Sequence, residues 1–200
     1  VNIDTGATYR CVTLEMMNQN IGMDEEEKIA EMLKSIQIEL STEKGKQKVF
    51  LNGQDVTDKI RSKEVSANVS PVSSIKQVRL AMGGLQRKMA QGKDVIMEGR
   101  DIGTVIFPNA DVKIYLDANV EVRAKRRVKQ NEEKGIEMSY EEVLENIKKR
   151  DKNDMEKEMG ALKVAEDAVV IDGSEMTIKE VEKAISLSLI HISEPTRRSY

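Results

Sequence analysis

A charged segment directly after a short apolar run is the most informative feature of this sequence. Residues 95–97 have the character of a buried strand. Glu98, Arg100 and Asp101 follow them at once, where open α/β sheets bind their ligands. Gly99 lets a ligand approach the backbone closely. The segment therefore predicts a binding or catalytic site that uses carboxylates and guanidinium groups.

A second set of residues has the spacing of one helical face. Arg123, Arg126, Arg127 and Gln130 stand at positions i, i+3, i+4 and i+7. Because a guanidinium stays charged and donates two parallel hydrogen bonds, such a face suits phosphate oxygens. A solvated surface helix explains the same spacing, so the pattern alone leaves polyanion binding and simple exposure open.

A third set of charged residues extends an apolar helical stripe. Val143 and Ile147 share a face with Arg150, Asp154 and Lys157, again at spacings of three and four. A stripe that becomes ionic towards its C-terminal end is typical of a helix that emerges from the core into a cleft. The alternative is an intrahelical ion pair, which contributes only about 0.2–0.5 kcal/mol.

The segment DTGATYR, which begins at Asp4, combines a hydroxyl with a cation. Thr5 stands at the end of a predicted strand, and Arg10 follows about one helical turn later. Such a pair can hold a phosphate from two sides, and a helix N-terminus between them adds a favourable dipole. Capping of the helix by Asp4 or Thr5 explains part of the pattern without a ligand.

The composition is that of a globular protein without histidine or disulfide chemistry. Of the 200 residues 39% are hydrophobic and 34% are charged, and the single Cys11 allows no internal disulfide. His191 is the one histidine, which excludes histidine triads and most zinc sites. The net charge of −3 argues against a general nucleic-acid binder, and no apolar run could span a bilayer. We expect a cytoplasmic protein without nucleic-acid or membrane partners.

Helices and short apolar runs alternate in the order that a parallel α/β sheet requires. Strands are predicted at residues 1–3, 95–97, 112–116 and 168–171. Helices are predicted at residues 7–20, 24–35, 72–91, 120–133, after Ser139, and 179–188. Asn119 suits an N-cap, and Ser139 with Glu142 forms a capping box.

Residues 36–91 depart from this order. Ile36, Ile38 and Leu40 alternate with polar residues, as in a half-buried strand. Asn52-Gly53 is the turn signal of a two-residue β-hairpin. We therefore predict a small antiparallel insertion in the parallel fold.

Both ends of the sequence are unusual. The chain starts at Val1 without an initiator methionine, and residues 189–200 read like a translated sequencing adapter. We expect a fragment with a non-native tail, and no function is assigned to His191, Arg197 or Arg198.

Taken together, these segments closely resemble the bacterial cytidylate kinases, which are nucleoside monophosphate kinases of the P-loop superfamily. The likeness runs from Val1 to about Ser186. It is carried by DTGATYR from Asp4, VFLNGQDVTDKIRSKEVSANVSPVSSIKQVR from Val49, GRDIGTVIFPNADVKIYLDA from Gly99, RAKRR from Arg123 and KRDKNDMEKE from Lys149.

The resemblance implies a three-layer α/β P-loop kinase core with a parallel sheet. The core would comprise residues 1–35 and 92–188, with a lid at about 120–138. Residues 36–91 would form the inserted nucleoside-monophosphate-binding domain, with its small antiparallel sheet. The implied reaction transfers the γ-phosphoryl group of ATP, with Mg²⁺, to CMP or dCMP in pyrimidine nucleotide metabolism. The enzyme would act as a monomer.

The resemblance also assigns roles to single residues. Ser70, Arg79 and Asp101 match the cytosine pocket of the family. The residues that match positions around the acceptor sugar, its phosphate and the transferring group are Thr5, Arg10, Arg100, Arg150, Asp154 and Lys157. Arg123, Arg126 and Arg127 match the lid over ATP. Catalysis would rest on Arg100, Arg127, Arg150 and Lys157, and no side chain is assigned to a metal.

The sequence departs from the family pattern in three places. Lys157 stands where arginine is usual, so a bidentate phosphate contact becomes a point-charge contact. Residues 159–161 lack the proline usual before Leu162. No GxxxxGK[ST] phosphate loop occurs in the 200 residues. We expect an inactive fragment of a (d)CMP kinase; a non-catalytic nucleotide-binding protein and a kinase of another nucleoside monophosphate are the alternatives.

Overall fold

The computed structural model describes residues 1–43, 45–133 and 135–193, which form a mixed α/β fold. The strands are β1 (Asn2–Asp4), β2 (Ile38–Glu43), β3 (Lys46–Leu51), β4 (Gln54–Asp55), β5 (Ile96–Glu98), β6 (Ile114–Asp117) and β7 (Val169–Asp172). The helices are α1 (Thr5–Asn18), α2 (Glu26–Ser35), α3 (Lys63–Val72), α4 (Lys76–Ala90), α5 (Val120–Glu133), α6 (Tyr140–Glu156) and α7 (Ile178–Ser193). A 3₁₀ turn (Lys59–Arg61) and a π-helix (Ile102–Ile106) complete the order. None of the described helices is both long and apolar enough to cross a bilayer.

Two pairs of parallel strands confirm the predicted α/β class. β1 pairs with β5, with Asp4 opposite Glu98. β6 pairs with β7, with Asp117 opposite Asp172. In a parallel pair the carboxyl ends of both strands lie at the same edge. Each pair therefore brings together the loops that follow its two strands.

The small antiparallel sheet is also confirmed. β3 pairs with β2 on one side and with β4 on the other. Asn52 and Gly53 connect β3 to β4 with φ angles of 50° and 79°. Positive φ at both central residues is the signature of a type I′ hairpin turn, for which Asn-Gly is the preferred pair.

The main hydrophobic core joins α1 and α2 to the segment 36–91. Buried apolar side chains from all these parts form one cluster. Its fully buried members include Val12, Ile29, Val49, Ile60 and Val78. The predicted insertion thus packs directly on α1, and the division into a core and an inserted domain stays a prediction.

The predicted helix 72–91 is wrong at its start. α3 already spans Ser70 and Pro71, and α4 begins only at Lys76. Ser62 starts α3 by accepting a hydrogen bond from the N–H of Val65 at 3.2 Å. Pro71 falls in the last turn of α3, where it lacks the N–H that would bond to the carbonyl of Ala67, and α3 ends at Val72. The resulting turn between α3 and α4 leaves backbone carbonyls for other partners.

The predicted helix 179–188 is too short. α7 continues to Ser193, so the expected loss of regular structure at Leu189 is wrong. Leu189 and Ile190 are compatible with a helix, which allows it to extend. Residues 194–200, with Arg197 and Arg198, lie outside the described part of the chain.

Candidate functional site

The carboxyl ends of β1 and β5 are joined by a partly buried hydrogen bond. The Thr5 hydroxyl donates to the backbone carbonyl of Glu98 at 2.6 Å. A side chain on Gly99 would collide with this hydroxyl, so the glycine permits the close approach of α1 to β5. Asp4 accepts a hydrogen bond from the N–H of Ala7 at 3.3 Å and caps α1. Both capping and strand-end packing therefore use residues of the DTGATYR segment.

Arg79 and Asp101 form a buried ion pair between α4 and the turn after β5. Each side chain is only 6% exposed. Arg79 also donates to the backbone carbonyl of Ser73 at 3.0 Å, and its guanidinium carbon lies 5.5 Å from the centroid of the Tyr9 ring. This second distance is in the range of a cation–π contact. Since an ionised carboxylate has about four lone-pair sites, Asp101 can still accept a hydrogen bond from a ligand.

Ser70 carries a buried hydroxyl that has no hydrogen-bond partner among the described residues. Its backbone carbonyl accepts hydrogen bonds from the hydroxyls of Ser73 at 2.8 Å and Ser74 at 3.1 Å. A buried polar group left unpaired costs about 1–3 kcal/mol, so this hydroxyl suits a polar atom of a ligand. Ser73 thus bonds to the Ser70 carbonyl with its hydroxyl and to Arg79 with its backbone carbonyl.

Asp154 is the centre of an ionic cluster at the end of α6. Its carboxylate lies 2.8 Å from the ammonium of Lys157, 3.0 Å from Nε of Arg100 and 3.9 Å from Nε of Arg150. Burial raises the pKa of Asp154, but the hydrogen bonds from Lys157 and Arg100 outweigh it and hold the pKa below its ordinary value. Asp154 is therefore an ionised anchor for three cations that the sequence analysis predicted to share one site.

Arg10 is a further cation near this cluster, and its guanidinium donates to the backbone carbonyl of Ile60 at 3.3 Å and to the hydroxyl of Ser66 at 3.0 Å. Burial lowers the pKa of Arg10, and repulsion from Arg150 lowers it further, while Asp4 opposes the effect. The pKa of Arg150 is likewise lowered, first by burial and then by Arg100. Arg127 acts on both Arg10 and Arg150 in the same direction. A bound anion would offset the repulsion between these guanidinium groups.

The three arginines predicted to form a lid have different surroundings. Arg123 donates to Asp151 at 2.6 Å, and this hydrogen bond raises the pKa of Arg123. Arg126 is bonded to backbone carbonyls of the loop after β7, those of Gly173, Ser174 and Met176. The positive charge of Arg127 lowers the pKa of both Arg10 and Arg150. Arg123 thus connects α5 to α6, and Arg126 connects α5 to the loop after β7.

A cleft with a volume of about 640 Å³ opens at the carboxyl ends of β6 and β7. It is lined by Asp117, Ala118, Asn119, Glu121, Val122, Asp172, Ser174 and Glu175. Across the described ranges no group of three or more His, Cys, Asp or Glu side chains could hold a metal ion by itself.

Three residues of the site were not predicted from the sequence. Ser73 contacts both Arg79 and Lys157, Tyr9 lies beneath Arg79, and Gly160 lies against the Arg79–Asp101 pair. Tyr9 lies within the DTGATYR segment, Ser73 within the segment that begins at Val49 and Gly160 within residues 159–161, but the sequence analysis gave none of the three a role. For Ser73 no local signal exists, because its contacts depend on the unpredicted turn between α3 and α4.

Comparison with known proteins shows the family to which this chain belongs. The family model described as cytidylate kinase matches residues 1–191. A cytidylate kinase of Caldicellulosiruptor bescii is 48% identical over 188 residues, which are 94% of this chain and 83% of that protein. A cytidylate kinase of Bacillus subtilis is 47% identical over 185 residues, 92% of this chain and 83% of the relative. A cytidylate kinase of Parabacteroides distasonis is 46% identical over 194 residues, with coverages of 94% and 84%. The chain therefore belongs to the cytidylate kinase family.

Proposed function

We propose that this protein phosphorylates CMP and dCMP to CDP and dCDP, with ATP as the phosphoryl donor. The observation that carries the proposal is the buried pair of Arg79 and Asp101 beside the turn that holds the unpaired hydroxyl of Ser70. Cytosine presents an exocyclic amine that can donate to the Asp101 carboxylate. Uracil presents a carbonyl oxygen to the same negative charge, which is repulsive.

The buried position of the pair makes this discrimination strong. Asp101 and Arg79 are both nearly excluded from solvent, so a mismatched base leaves polar groups that water cannot satisfy. Sites built to hydrogen-bond a particular group reject analogues that lack it by orders of magnitude. We therefore expect CMP and dCMP to be preferred over UMP and AMP.

The acceptor phosphate would bind at the cationic cluster. Arg10, Arg100 and Arg150 supply guanidinium groups, and Lys157 supplies an ammonium. Asp154 holds Arg100 and Lys157 by hydrogen bonds. Transfer of a phosphoryl group needs mainly positioning of the reactants and stabilisation of negative charge. These cations, with Arg127 nearby, would perform both tasks, and no pH-tuned general base is required.

Mg²⁺ would enter this site together with ATP. A magnesium ion in a kinase is commonly held by one or two carboxylates plus the substrate phosphates, so a preformed cluster of three protein ligands is unnecessary. When bound, the ion neutralises charge on the donor phosphates. Thr5 would lie near the acceptor sugar and phosphate. Arg123 and Arg126 would belong to a lid over ATP, although in this structure their hydrogen bonds go to Asp151 and to the loop after β7.

The 200 residues contain no GxxxxGK[ST] sequence, which cradles the β- and γ-phosphates in P-loop kinases. We therefore propose that this polypeptide by itself binds CMP but turns it over poorly. Its monomeric state stays a prediction.

The test compares binding with turnover. Isothermal titration calorimetry of the 200-residue chain should show tighter binding of CMP and dCMP than of UMP and AMP, and a coupled assay with ATP should show little product. Equal affinity for CMP and UMP would refute the specificity and favour a kinase of another nucleoside monophosphate. Fast turnover would refute the proposed lack of activity.

A further inference from the structure

We propose that Ser73 is a positioning residue that holds Lys157 in place for the acceptor phosphate, an inference that rests on the proposed function. Ser73 lies in the turn between α3 and α4 and is 7% exposed. The ammonium of Lys157 donates to its hydroxyl oxygen at 2.9 Å. The two residues are far apart in sequence, so the contact joins the turn to the end of α6.

Ser73 uses each of its polar atoms in this turn. Its hydroxyl accepts from Lys157 and donates to the backbone carbonyl of Ser70 at 2.8 Å. Its own carbonyl accepts from Arg79 at 3.0 Å. A serine hydroxyl has one donor and two acceptor lone pairs, so these bonds are compatible. Ser73 thereby connects the residues that would read the base with the cation that would contact the phosphate.

The ammonium of Lys157 has three N–H donors. Asp154 and Ser73 accept two of them within the described part of the chain, at 2.8 Å and 2.9 Å. These two hydrogen bonds fix the direction of the third N–H group of Lys157. The Lys157 side chain is 7% exposed, so its orientation depends on these partners rather than on solvent.

A lysine needs such a second anchor more than an arginine does. The ammonium is a point charge on a flexible four-carbon stem, whereas the planar guanidinium fork is already organised for two parallel hydrogen bonds. Asp154 alone would leave Lys157 free to rotate about a single contact. Ser73 removes that freedom and reduces the ordering cost when a phosphate binds.

The inference predicts a defect in affinity without a defect in base selection. Ser73→Ala removes the hydroxyl that contacts Lys157 but keeps the carbonyl that contacts Arg79. We expect the dissociation constant for CMP to rise about fivefold. The ratio of UMP to CMP dissociation constants should change by less than about twofold.

Ser74→Ala is the matched control. The Ser74 hydroxyl also donates to the carbonyl of Ser70, at 3.1 Å, but Ser74 is exposed and its hydroxyl is not the one bonded to Lys157. Its loss should leave CMP affinity within about twofold of the starting protein. Ser73→Thr, which keeps the hydroxyl, should rescue the affinity that Ser73→Ala loses.

A double-mutant cycle isolates the contact between Ser73 and Lys157. In a Lys157→Arg background, Ser73→Ala should weaken CMP binding by less than about twofold, because the guanidinium needs no second anchor. Isothermal titration calorimetry on the 200-residue chain gives all the affinities, and circular dichroism melting checks that the variants are folded. If Ser73→Ala does not fold, Ser73→Cys, which is only slightly larger than serine and is a weaker hydrogen-bond acceptor, carries the same expectation.

The outcomes separate this inference from the proposed function. The positioning role is refuted if Ser73→Ala binds CMP as Ser74→Ala does. It is also refuted if Ser73→Ala loses as much affinity in the Lys157→Arg background as in the starting protein. If the unaltered chain binds CMP and UMP equally, the proposed function is refuted whatever the Ser73 variants do.

Discussion

Gly160 lies so close to the guanidinium of Arg79 that a side chain on Gly160 would overlap it. The same side chain would collide with the carboxylate of Asp101. The φ angle of Gly160 is +67°, in the left-handed region that residues other than glycine rarely adopt. The segment after α6 therefore covers the buried ion pair, and it can do so only because residue 160 has no side chain.

Gly160→Ala should disturb the ion pair as well as the backbone. Alanine at this φ costs roughly 1 kcal/mol, and its Cβ must displace Arg79. We expect a lower melting temperature and about tenfold weaker CMP binding. Gly135→Ala is the control, because Gly135 has the same φ of +67° but nothing within 4 Å of the added Cβ. Equal CMP affinity of the two variants would show that Gly160 does not support the pair.

Features set by local chemistry could be predicted from the sequence. The Asn52-Gly53 turn follows from the positive φ angles that this pair tolerates. The helix predicted at residues 120–133 matches α5, and the capping box of Ser139 and Glu142 is present in α6. In each case the determining residues are neighbours in the chain.

Features set by distant partners could not be predicted. Arg126 is on the predicted helical face, but its hydrogen bonds go to carbonyls of the loop after β7, which no spacing reveals. The predicted helix 72–91 missed the turn at Ser73, whose carbonyl is bonded to Arg79 and whose hydroxyl is bonded to Lys157. The contact between Ser73 and Lys157 exists only once the turn after α3 lies against the end of α6.

Cys11 should make the protein less stable in alkali. It is fully buried in α1, and burial raises the pKa of its thiol from 9.0 to about 12. The unfolded chain loses this proton near its ordinary pKa, whereas the folded chain keeps it until about pH 12. The free energy of unfolding should therefore fall by about 1.4 kcal/mol per pH unit within this window. Urea unfolding at several pH values should show this extra fall of the unfolding free energy with pH for the starting protein but not for Cys11→Ala. Identical pH slopes for the two proteins would contradict the prediction.

Asp154 should make the folded protein less stable in acid. Burial acts to raise its pKa, but the hydrogen bonds from Lys157 and Arg100 outweigh burial, so the pKa is lowered in the folded state. Its stabilising contribution is thus complete above its unfolded pKa of about 3.9 and is lost as the pH falls through the lower folded value. The difference in unfolding free energy between the starting protein and Asp154→Asn should be constant above about pH 5 and shrink below about pH 4. A difference that stays constant into stronger acid would show that Asp154 is not the ionised anchor.

Asp101→Asn should abolish selection between cytosine and uracil. The amide removes the charge that repels the uracil carbonyl, and its NH₂ group can donate to that oxygen. The ratio of UMP to CMP dissociation constants should fall to within about threefold of unity. The variant also leaves the buried guanidinium of Arg79 without its anion, which costs roughly 3–5 kcal/mol of stability, so binding is measured below its own melting temperature. Asp111→Asn, at an exposed aspartate, controls for the loss of one negative charge. If Asp101→Asn still prefers CMP as strongly as Asp111→Asn does, base selection depends on other residues than the Arg79–Asp101 pair.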